Sequence, residues 1–408
     1  MTYFFILGNN PALSVAEILN KFQPKKYSLV NKDVFRVEFS EKIDEVKVIK
    51  KLGGVIKIVE VVEDNFQDLL TAVENYLPEK FEGKYKFGFS FYPIVTSDGR
   101  GGSLKKIAMD IKRELKNREI SCRWVIGKGS NLSSVVVAKN KLIDKGREFV
   151  IVSGEANPSS LKLHRGKKCL GVTKAVQDFE ELSFRDYNRP ARDSQSGMIP
   201  PKLAQMMLNI GLQGKTDKIL LDPFCGSGTI LMEAILMGVK KVTGSDISEK
   251  AVKNTRKNLE WIQERFGLTK KNLVKVDSRD VAKLSQFIKN ESVDVIVTEP
   301  YLGPQKKAES IEKVKKELEI LYTKAINEFR KILKSNSPAG RGRIVMIWPF
   351  LRDAKESTIN PGINGFQIVR QLPDEMKIEV TQRGTIIYGR KGQRVWREIV
   401  VLEKTISN

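Results

Sequence analysis

Short apolar segments that alternate with helical patterns occupy the second half of this 408-residue chain. The helical stretches carry apolar residues on one face, as with Leu203, Met207 and Ile210 after a Pro200-Pro201 start. The apolar segments, read as strands, are 219–222, 242–246, 273–277, 293–298 and 344–348. This alternation predicts an α/β domain built on a doubly wound, mostly parallel sheet with helices on both faces.

Two further segments near the end of the chain favour an antiparallel pair. Residues 385–388 and 395–402 flank the polar stretch 389–393, which contains two glycines. This pattern is typical of a hairpin. We therefore predict a Rossmann-like domain over 197–408 whose sheet ends in an antiparallel hairpin.

The N-terminal half has a different order of elements. Over 1–62, strand-like and helix-like patterns alternate, with a helix that starts near Ser14 and ends near Lys21, and the order is compatible with a ferredoxin-like βαββαβ unit. Over 63–170 the sequence predicts a second α/β unit with helices at 66–77 and 103–118 and strands at 85–92, 123–126, 135–139 and 148–152. The stretch 171–196 is polar towards its end and is interpreted as a linker.

Positive charge is concentrated in the second unit. The chain has 71 Lys and Arg against 49 Asp and Glu, a net charge of +22, and residues 100–174 alone hold 18 basic and 6 acidic residues. Such a basic, well-folded domain favours a polyanionic partner, although a generally Lys-rich proteome is the alternative. The candidate phosphate contacts are Lys162, Arg165, Lys167, Lys168, Arg123 and Lys128.

Cysteine and histidine usage excludes several kinds of site. Of Cys122, Cys169, Cys225 and His164, only His164 and Cys169 lie close together in sequence, which is too few ligands for a Cys/His zinc site, and the lone histidine disfavours Ser-His-Asp chemistry. No disulfide framework is implied, which fits a reducing cytoplasm. No apolar run reaches the length of a membrane span, so we expect no membrane contact and no metal.

The strongest motif is LLDPFCGSGT at 220–229, a strand that runs into a glycine-rich turn and a helix. Gly226 and Gly228 let the backbone approach a ligand, and the free N–H groups of the helix can bind a carboxylate. Asp222 can accept hydrogen bonds from a ligand ammonium. The spacing matches neither a Walker loop nor a G-x-G-x-x-G fingerprint. Cys225 is interpreted as a small packing residue rather than a nucleophile.

Acidic residues end the next two predicted strands. Asp246 lies where an acid can bind both hydroxyls of a ribose, and Asp277 lies where it can accept from an adenine amine. Each is also a plausible N-cap of the following helix. Three acids at three successive strand ends favour a nucleoside site. The fourth strand ends in Thr298-Glu299-Pro300-Tyr301, where a target base would be met.

These features together resemble the S-adenosylmethionine-dependent methyltransferases that modify exocyclic amines of bases. More narrowly, residues 60–408 are similar to the archaeal-type tRNA guanosine N2-methyltransferases, which carry an RNA-binding THUMP domain. The stretches that carry the resemblance are LGVTKAVQD (170–178), RPARDSQSGMIPPKLAQ (189–205), the glycine-rich turn and YGRKGQRVWREI (388–399).

The resemblance implies S-adenosylmethionine as cofactor, tRNA as partner and a THUMP domain over 63–170. It also implies that Asp222 and 226–229 lie near the methionine part of the cofactor, with the segment from Pro200 closing over it. A small activating partner or a monomer both stay open. The candidate cofactor-binding residues are Asp222, Phe224, Gly226, Ser227, Gly228, Thr229, Asp246, Ile247, Asp277, Ser278 and Pro200.

The catalytic turn departs from the family pattern. Relatives carry Asp, Asn or Ser followed by Pro-Pro and Tyr or Phe, whereas Thr298 and Glu299 here precede Pro300 and Tyr301. An exocyclic amine is a poor nucleophile, and acceptors on its N–H groups stabilise the charge that develops during transfer. Thr298 offers a hydroxyl acceptor, Glu299 a carboxylate displaced by one position, and Tyr301 a ring to stack on a base swung out of its helix.

Three readings therefore remain open from the sequence. The first is a tRNA guanine-N2 methyltransferase that transfers the methyl group directly and in line. The second keeps the catalytic domain but takes ribosomal RNA or DNA as substrate. The third is a non-catalytic RNA-binding protein with a degenerate turn in which Glu299 points away.

Overall fold

A computed structural model describes residues 1–92, 101–153, 168–192, 198–268, 273–304, 310–335, 340–351, 357–389 and 392–405. Contacts within the chain divide it into two units. Unit 1 comprises Met1–Pro11 and Pro24–Phe179, and unit 2 comprises Ala12–Gln23 and Glu180–Asn408. Each unit is built around its own sheet.

The first part of the chain alternates strands and helices. In chain order its elements are β1 (Thr2–Leu7), α1 (Pro11–Phe22), β2 (Lys26–Asn31), β3 (Val34–Glu38), α2 (Glu45–Ile49), β4 (Val55–Glu63), α3 (Leu69–Glu74), β5 (Tyr85–Tyr92), α4 (Gly101–Asn117), β6 (Cys122–Val125), α5 (Ser134–Lys139), β7 (Gly146–Ser153) and β8 (Lys168–Val176). The eight strands form the sheet of unit 1, in the order β2-β3-β1-β4-β8-β7-β5-β6.

The sheet of unit 1 is antiparallel at one end and parallel at the other. Strand β1 lies antiparallel between β3 and β4, and β5 lies parallel between β7 and β6. Strand β8 joins the two parts because it is antiparallel to both β4 and β7. Buried aromatic residues fill the core on the side of α4, where the rings of Phe89 and Phe149 are 5.9 Å apart.

Two sequence predictions of local structure before residue 197 are wrong. Residues 135–139, predicted as a strand from a run of valines, form helix α5, because the Ser133 side chain caps its first turn and Val137 is buried against Leu132 and Leu142. Tertiary burial here outweighs the strand preference of β-branched residues. The predicted linker 171–196 contains most of β8 and a further helix, α6 (Phe179–Tyr187), whose short apolar pattern was not recognised.

The rest of the chain has the predicted alternation. After α6 its elements are α7 (Pro201–Leu212), β9 (Ile219–Asp222), α8 (Thr229–Leu236), β10 (Lys241–Asp246), α9 (Glu249–Arg265), β11 (Leu273–Ser278), a 3-10 helix (Val281–Gln286), β12 (Val295–Thr298), α10 (Ile311–Ile332), β13 (Arg343–Leu351), β14 (Ser357–Thr358), β15 (Phe366–Ile368), β16 (Ile386–Tyr388) and β17 (Val395–Lys404). The five predicted strands are confirmed as β9 to β13.

The sheet of unit 2 has the order β11-β10-β9-β12-β13-β17-β15. Its first five strands are parallel, and β17 is antiparallel to β13, β15 and β16. The predicted C-terminal hairpin is confirmed as β16 and β17. Because the chain moves outward from β9 in one direction and then returns to β12 on its other side, a crevice is expected at the carboxyl ends of β9 and β12.

Helix α1 is grouped with unit 2, although the strands before and after it belong to unit 1. Lys21 Nζ donates to Asn209 Oδ1 at 2.9 Å, and Asn209 Nδ2 donates to the buried Glu17 carboxylate at 2.7 Å. Arg343 Nη1 donates to Asn20 Oδ1 at 2.8 Å. The sequence prediction placed this helix within a continuous 1–62 unit and did not anticipate these partners.

Candidate active site

A cavity of about 400 Å³ lies in unit 2 at the carboxyl ends of β9, β10 and β12. This is the crevice that the strand order predicts. Most of the residues predicted to bind ligands line it: Asp222, Phe224, Gly226, Ser227, Thr229, Asp246, Ile247, Glu299, Pro300 and Tyr301. One wall of the cavity therefore carries the glycine-rich turn and another carries the predicted catalytic turn.

The glycine-rich turn needs its glycines for conformation and space. Gly226 and Gly228 have φ of +53° and +84°, in the left-handed region that disfavours side chains. A Cβ on Gly228 would also lie 2.8 Å from the Thr255 side chain, whose hydroxyl donates to the Gly226 carbonyl at 2.7 Å. Gly228 is the N-cap of α8, so the first N–H groups of that helix face the end of β9.

Asp222 is buried at the floor of the cavity. Its Oδ1 accepts hydrogen bonds from the Thr298 hydroxyl at 2.6 Å and from the Phe224 N–H at 3.3 Å. Burial raises the pKa of Asp222 to about 7, against the lowering effect of these two hydrogen bonds. This carboxyl is therefore poised to become ionised when a cation binds beside it.

Thr298 does not line the cavity. Its side chain is fully buried and its hydroxyl is directed at Asp222. The sequence interpretation of this hydroxyl as an acceptor for a target amine does not agree with that placement. Thr298 instead holds Asp222 in position.

Asp246 ties two turns together. Its carboxylate accepts from the Gly226 N–H at 3.0 Å and from the Ser248 N–H at 2.9 Å. Ser248 in turn caps α9 by accepting from Ala251. Asp246 thus links the glycine-rich turn after β9 to the turn after β10 and lines the cavity, and its contact with a ligand stays a prediction.

The third predicted acid lies elsewhere. Asp277 is paired with Arg279 at 2.7 Å and with Arg256 at 3.7 Å, and it does not line the cavity. Asp280 and Arg279 line it instead. Asp280 caps the following 3-10 helix by accepting from the Ala282 N–H at 2.9 Å. The sequence analysis names Asp277 alone, and only side-chain direction separates it from Asp280.

Three other predicted residues also lie outside the cavity lining. Gly228 and Ser278 are adjacent to lining residues, and the Ser278 hydroxyl donates to the Ile247 carbonyl at 3.3 Å. Pro200 is the N-cap of α7, whereas the preceding residues Met198 and Ile199 line the cavity.

The predicted catalytic turn contains an ion pair that the sequence analysis missed. Arg397 on β17 donates through Nε to Glu299 Oε1 at 2.6 Å, and both side chains line the cavity. Burial raises the pKa of Glu299, and the Arg397 charge acts in the opposite direction. Arg397 lies in the quoted stretch 388–399, but no local signal connects it to a residue 98 positions earlier.

Tyr301 is the exposed member of the turn. Its side chain is 57% exposed, while its backbone carbonyl accepts from the buried Tyr322 hydroxyl at 2.9 Å. The backbone of the turn is therefore anchored to α10 and the ring is left accessible at the cavity.

A buried polar network supports the wall that carries α8. Arg185 on α6 donates through Nε and Nη2 to the two carboxylate oxygens of Glu233, at 2.7 and 3.1 Å, and Gln205 Nε2 donates to the same carboxylate at 3.0 Å. Arg189 Nη1 donates to the Thr229 hydroxyl at 2.6 Å. Arg189 thus fixes the first residue of α8, while Arg185 and Gln205 hold Glu233 farther along the same helix.

Cys225 also lines the cavity, yet it has the environment of a packing residue. Its side chain is buried, and burial raises the pKa of the thiol well above its usual value. A thiol that stays protonated is a weak nucleophile. This supports the interpretation made from the sequence.

The predicted phosphate contacts belong to unit 1 or fall outside the described residues. Lys162, Arg165 and Lys167, together with His164, lie outside them. Arg123, Lys128 and Lys168 are exposed. In the described part of the chain, no helix is long and apolar enough to cross a membrane, and no cluster of His, Cys, Asp or Glu is arranged to hold a metal ion.

Two family models match the chain. One, described as an RMKL-like methyltransferase domain, matches residues 189–358. The other, described as a DNA methylase, matches residues 21–257, more than half of the chain. Both matches include the glycine-rich turn, and they confirm the resemblance to methyltransferases.

Curated relatives carry a more specific name. The tRNA (guanine(10)-N2)-dimethyltransferase of Methanothermobacter thermautotrophicus is 43% identical over 107 residues, which are 26% of this chain and 28% of that protein. The enzyme of the same name from Methanocaldococcus jannaschii is 38% identical over 136 residues, 31% of this chain and 37% of that protein. These two matches therefore span less than two fifths of either relative.

Two longer similarities cover most of the chain. The tRNA (guanine(10)-N2)-dimethyltransferase of Pyrococcus abyssi is 24% identical over 306 residues, 74% of this chain and 78% of that protein. The crystal structure of TrmN from Thermus thermophilus aligns with a TM-score of 0.53 and 17% identity, covering 99% of this chain and 100% of that one. The structural likeness indicates a shared fold.

Proposed function

Because the chain belongs to the DNA methylase family, we propose that it is an S-adenosylmethionine-dependent methyltransferase acting on the exocyclic N2 of a guanosine in structured tRNA. One observation carries the proposal: a single cavity is lined by the glycine-rich turn, Asp246 and the Glu299-Pro300-Tyr301 turn. A methyl donor and an acceptor base meet in that space. The names of the curated relatives supply the substrate, tRNA guanine N2.

The cavity fits the cofactor in size and in chemistry. Its volume of about 400 Å³ lies within the usual range for small-molecule sites. Asp222 suits the ammonium of the methionine part and Asp246 the ribose hydroxyls. Ile247, which is 74% exposed, offers an apolar face to adenine, and Asp280 is the cavity-lining acceptor for its amine. When bound, S-adenosylmethionine supplies an electrophilic methyl group.

The chain's own residues prepare the base. Bound in the cavity, S-adenosylmethionine would supply its methyl group to the N2 lone pair with a neutral thioether as the leaving group, and N2 would lose a proton to a carboxylate or to water. Glu299 is the carboxylate of the turn that lines the cavity. An acceptor there stabilises the positive charge that develops on N2, and the Tyr301 ring stacks on the base.

For the N-terminal part of the chain we propose the domains expected from the sequence, a ferredoxin-like domain over 1–62, whose helix α1 is grouped with unit 2, and a THUMP domain over 63–170. The antiparallel order β2-β3-β1-β4 supports the first. The exposed Arg123, Lys128 and Lys168 support an RNA-binding role for the second, through phosphates and shape. For a protein that modifies tRNA we propose a cytoplasmic location.

Methylation of defined nucleic acids tests the proposal. Purified protein is incubated with radiolabelled S-adenosylmethionine and, separately, with unmodified tRNA, ribosomal RNA and duplex DNA, and the labelled nucleoside is identified after digestion. We expect N2-methylguanosine from tRNA. If only ribosomal RNA or only DNA is labelled, that nucleic acid is the substrate and the proposed activity on tRNA is wrong. Cofactor and tRNA binding without any label would identify a non-catalytic binder.

Removing the ring of Tyr301 is expected to impair turnover. In Tyr301→Ala, kcat/KM for tRNA should fall roughly 10- to 100-fold, because base–aromatic stacking contributes about 1–3 kcal/mol. Tyr301→Phe keeps the ring and is expected to stay close to the wild type. Steady-state kinetics with tRNA measure both, and the dissociation constant for S-adenosylmethionine serves as control. Equal losses in the two variants would contradict a stacking role.

Basic residues of unit 1 are expected to bind tRNA in a salt-sensitive way. Binding of tRNA to the triple variant Arg123→Met/Lys128→Met/Lys168→Met should be weaker, with the slope of log K against log salt reduced by about one for each phosphate that is no longer neutralised. Lys42→Met, an exposed lysine outside 63–170, is the matched control. An unchanged slope would mean that these three side chains do not meet phosphates.

A further inference from the structure

The Glu299–Arg397 pair lies in the wall of the cavity where the target base is proposed to enter. Arg397 Nε donates to Glu299 Oε1 at 2.6 Å, and the side chains of Glu299 and Arg397 are only 12% and 13% exposed. A single hydrogen bond between a guanidinium and a carboxylate leaves atoms of both groups for another partner. Within the described residues, Glu299 Oε2 and the two Nη groups of Arg397 make no hydrogen bond.

The neighbourhood of this carboxylate is that of a base site. Glu299 is two residues before Tyr301, whose exposed ring can stack on a base, and Pro300 between them also lines the cavity. The hydroxyl of the preceding residue, Thr298, donates its hydrogen bond to Asp222. Glu299 is thus the carboxylate of this turn that remains available to a base.

The chemistry of the bases decides what a carboxylate here selects. Guanine presents two adjacent donors, N1–H and N2–H, on its Watson–Crick edge, and an ionised carboxylate accepts from both. Adenine and cytosine present a bare ring nitrogen beside their amine, so a carboxylate would face a lone pair. A substrate that leaves polar groups of a buried site unpaired, or that sets two acceptors against each other, is used far less efficiently than the correct one.

We propose that Glu299 is the specificity-determining residue of this site, reading the N1–H and N2–H of guanine, and that Arg397 is a positioning residue that holds the carboxylate ionised and in place. The proposal rests on the proposed function. It assigns to Glu299 the discrimination between guanine and bases whose ring nitrogen beside the amine carries no hydrogen.

An analogue of guanine that keeps the 2-amine but lacks N1–H tests recognition of the base separately from the reactivity of its amine. 2-Aminopurine keeps the 2-amine as its one exocyclic amine, but its N1 is an acceptor without hydrogen. The target guanosine, once identified by the methylation experiment above, is replaced by 2-aminopurine ribonucleoside in a tRNA ligated from synthetic halves. Methyl transfer to each tRNA is then measured with the wild type and with Glu299→Gln.

We expect the preference for guanosine over 2-aminopurine to fall by at least about 100-fold in Glu299→Gln. The wild type should methylate the guanosine tRNA at least about 100-fold faster than the 2-aminopurine tRNA. Glu299→Gln, whose amide offers one acceptor and one donor, matches the amine and bare N1 of 2-aminopurine. Relative to the wild type, its methylation rate should fall roughly 10- to 100-fold on the guanosine tRNA and rise at least about 10-fold on the 2-aminopurine tRNA. Glu317→Gln, on the exposed face of α10, is the matched control.

The outcomes are distinguishable. If the wild type does not methylate the guanosine tRNA, the proposed function fails. If the wild type methylates the guanosine tRNA, but the rate of Glu299→Gln falls by the same factor on both tRNAs while S-adenosylmethionine binds normally, Glu299 does not read the base and the inference is overturned. Should Glu299→Gln fail to fold, Glu299→Asp keeps both acceptor oxygens, and it is expected to retain the guanosine preference at a lower rate; loss of that preference would overturn the inference.

The role of Arg397 has its own readout. Arg397→Gln removes the positive charge that favours ionised Glu299. With S-adenosylmethionine saturating at every pH, so that protonation of Asp222 does not limit cofactor binding, the acidic limb of the rate–pH profile on guanosine tRNA should move to higher pH. A lower rate with an unshifted profile would assign Arg397 a purely structural role.

Discussion

The Asp222→Asn variant is expected to bind S-adenosylmethionine roughly 10- to 100-fold more weakly than the wild type, with a comparable loss of methylation. Asp222 is buried at the floor of the cavity, and the amide keeps the shape but not the charge that an ammonium needs. Isothermal titration measures the effect. Asp217→Asn, in the exposed turn before β9, is the matched control and should bind normally.

The same variant should abolish a pH dependence. The pKa of Asp222 is raised to about 7, so the carboxyl is protonated below that pH and must lose a proton before it pairs with the ammonium. In the wild type, affinity should be constant above about pH 8 and fall up to about tenfold per pH unit below about pH 7. Asp222→Asn should show no such slope. An identical slope in both proteins would show that another group titrates.

The second large effect concerns stability. Arg185→Met is expected to lower the free energy of unfolding of unit 2 by about 3–5 kcal/mol, because it leaves the buried Glu233 carboxylate without its counter-ion. Of the hydrogen bonds described above for Glu233, only the one from the Gln205 amide would remain. Thermal unfolding should show the loss as a decrease in Tm of roughly 6–20 °C.

Two further variants test the cause of that loss. Arg113→Met removes an arginine that is 73% exposed and paired with Asp110, and it should change stability by less than about 0.5 kcal/mol. The double variant Arg185→Met/Glu233→Leu removes both charges and should recover part of the loss. If the double variant is as unstable as Arg185→Met, packing rather than an unpaired charge explains the effect.

Much of unit 2 was predictable because its signals are local. The strands β9 to β13 are short apolar runs, and α9 and α10 begin at Ser248 and Ser310, whose side chains cap them. In unit 1, the valines at 135–137 favour a strand by propensity. They form a helix because Ser133 caps it and Val137 packs into a small core.

The ligand-facing residues were partly predictable for the same reason. The glycine-rich turn and Asp246 follow strand ends directly, and the parallel sheet brings those ends to one edge. Side-chain direction is not a local property. Asp277 and Asp280 are three residues apart, yet Asp277 is held by two arginines away from the cavity while Asp280 lines it.

Sequence pattern alone thus specified an α/β chain with a doubly wound sheet and a glycine-rich ligand turn, because periodicity and turn chemistry act between near neighbours. Packing of distant segments settled the rest. Thr298 meets Asp222 across 76 residues, Arg397 meets Glu299 across 98, and Asn20 of α1 meets Arg343 across 323. No local signal encodes such pairings, since each exists only once the sheet has brought the two segments together.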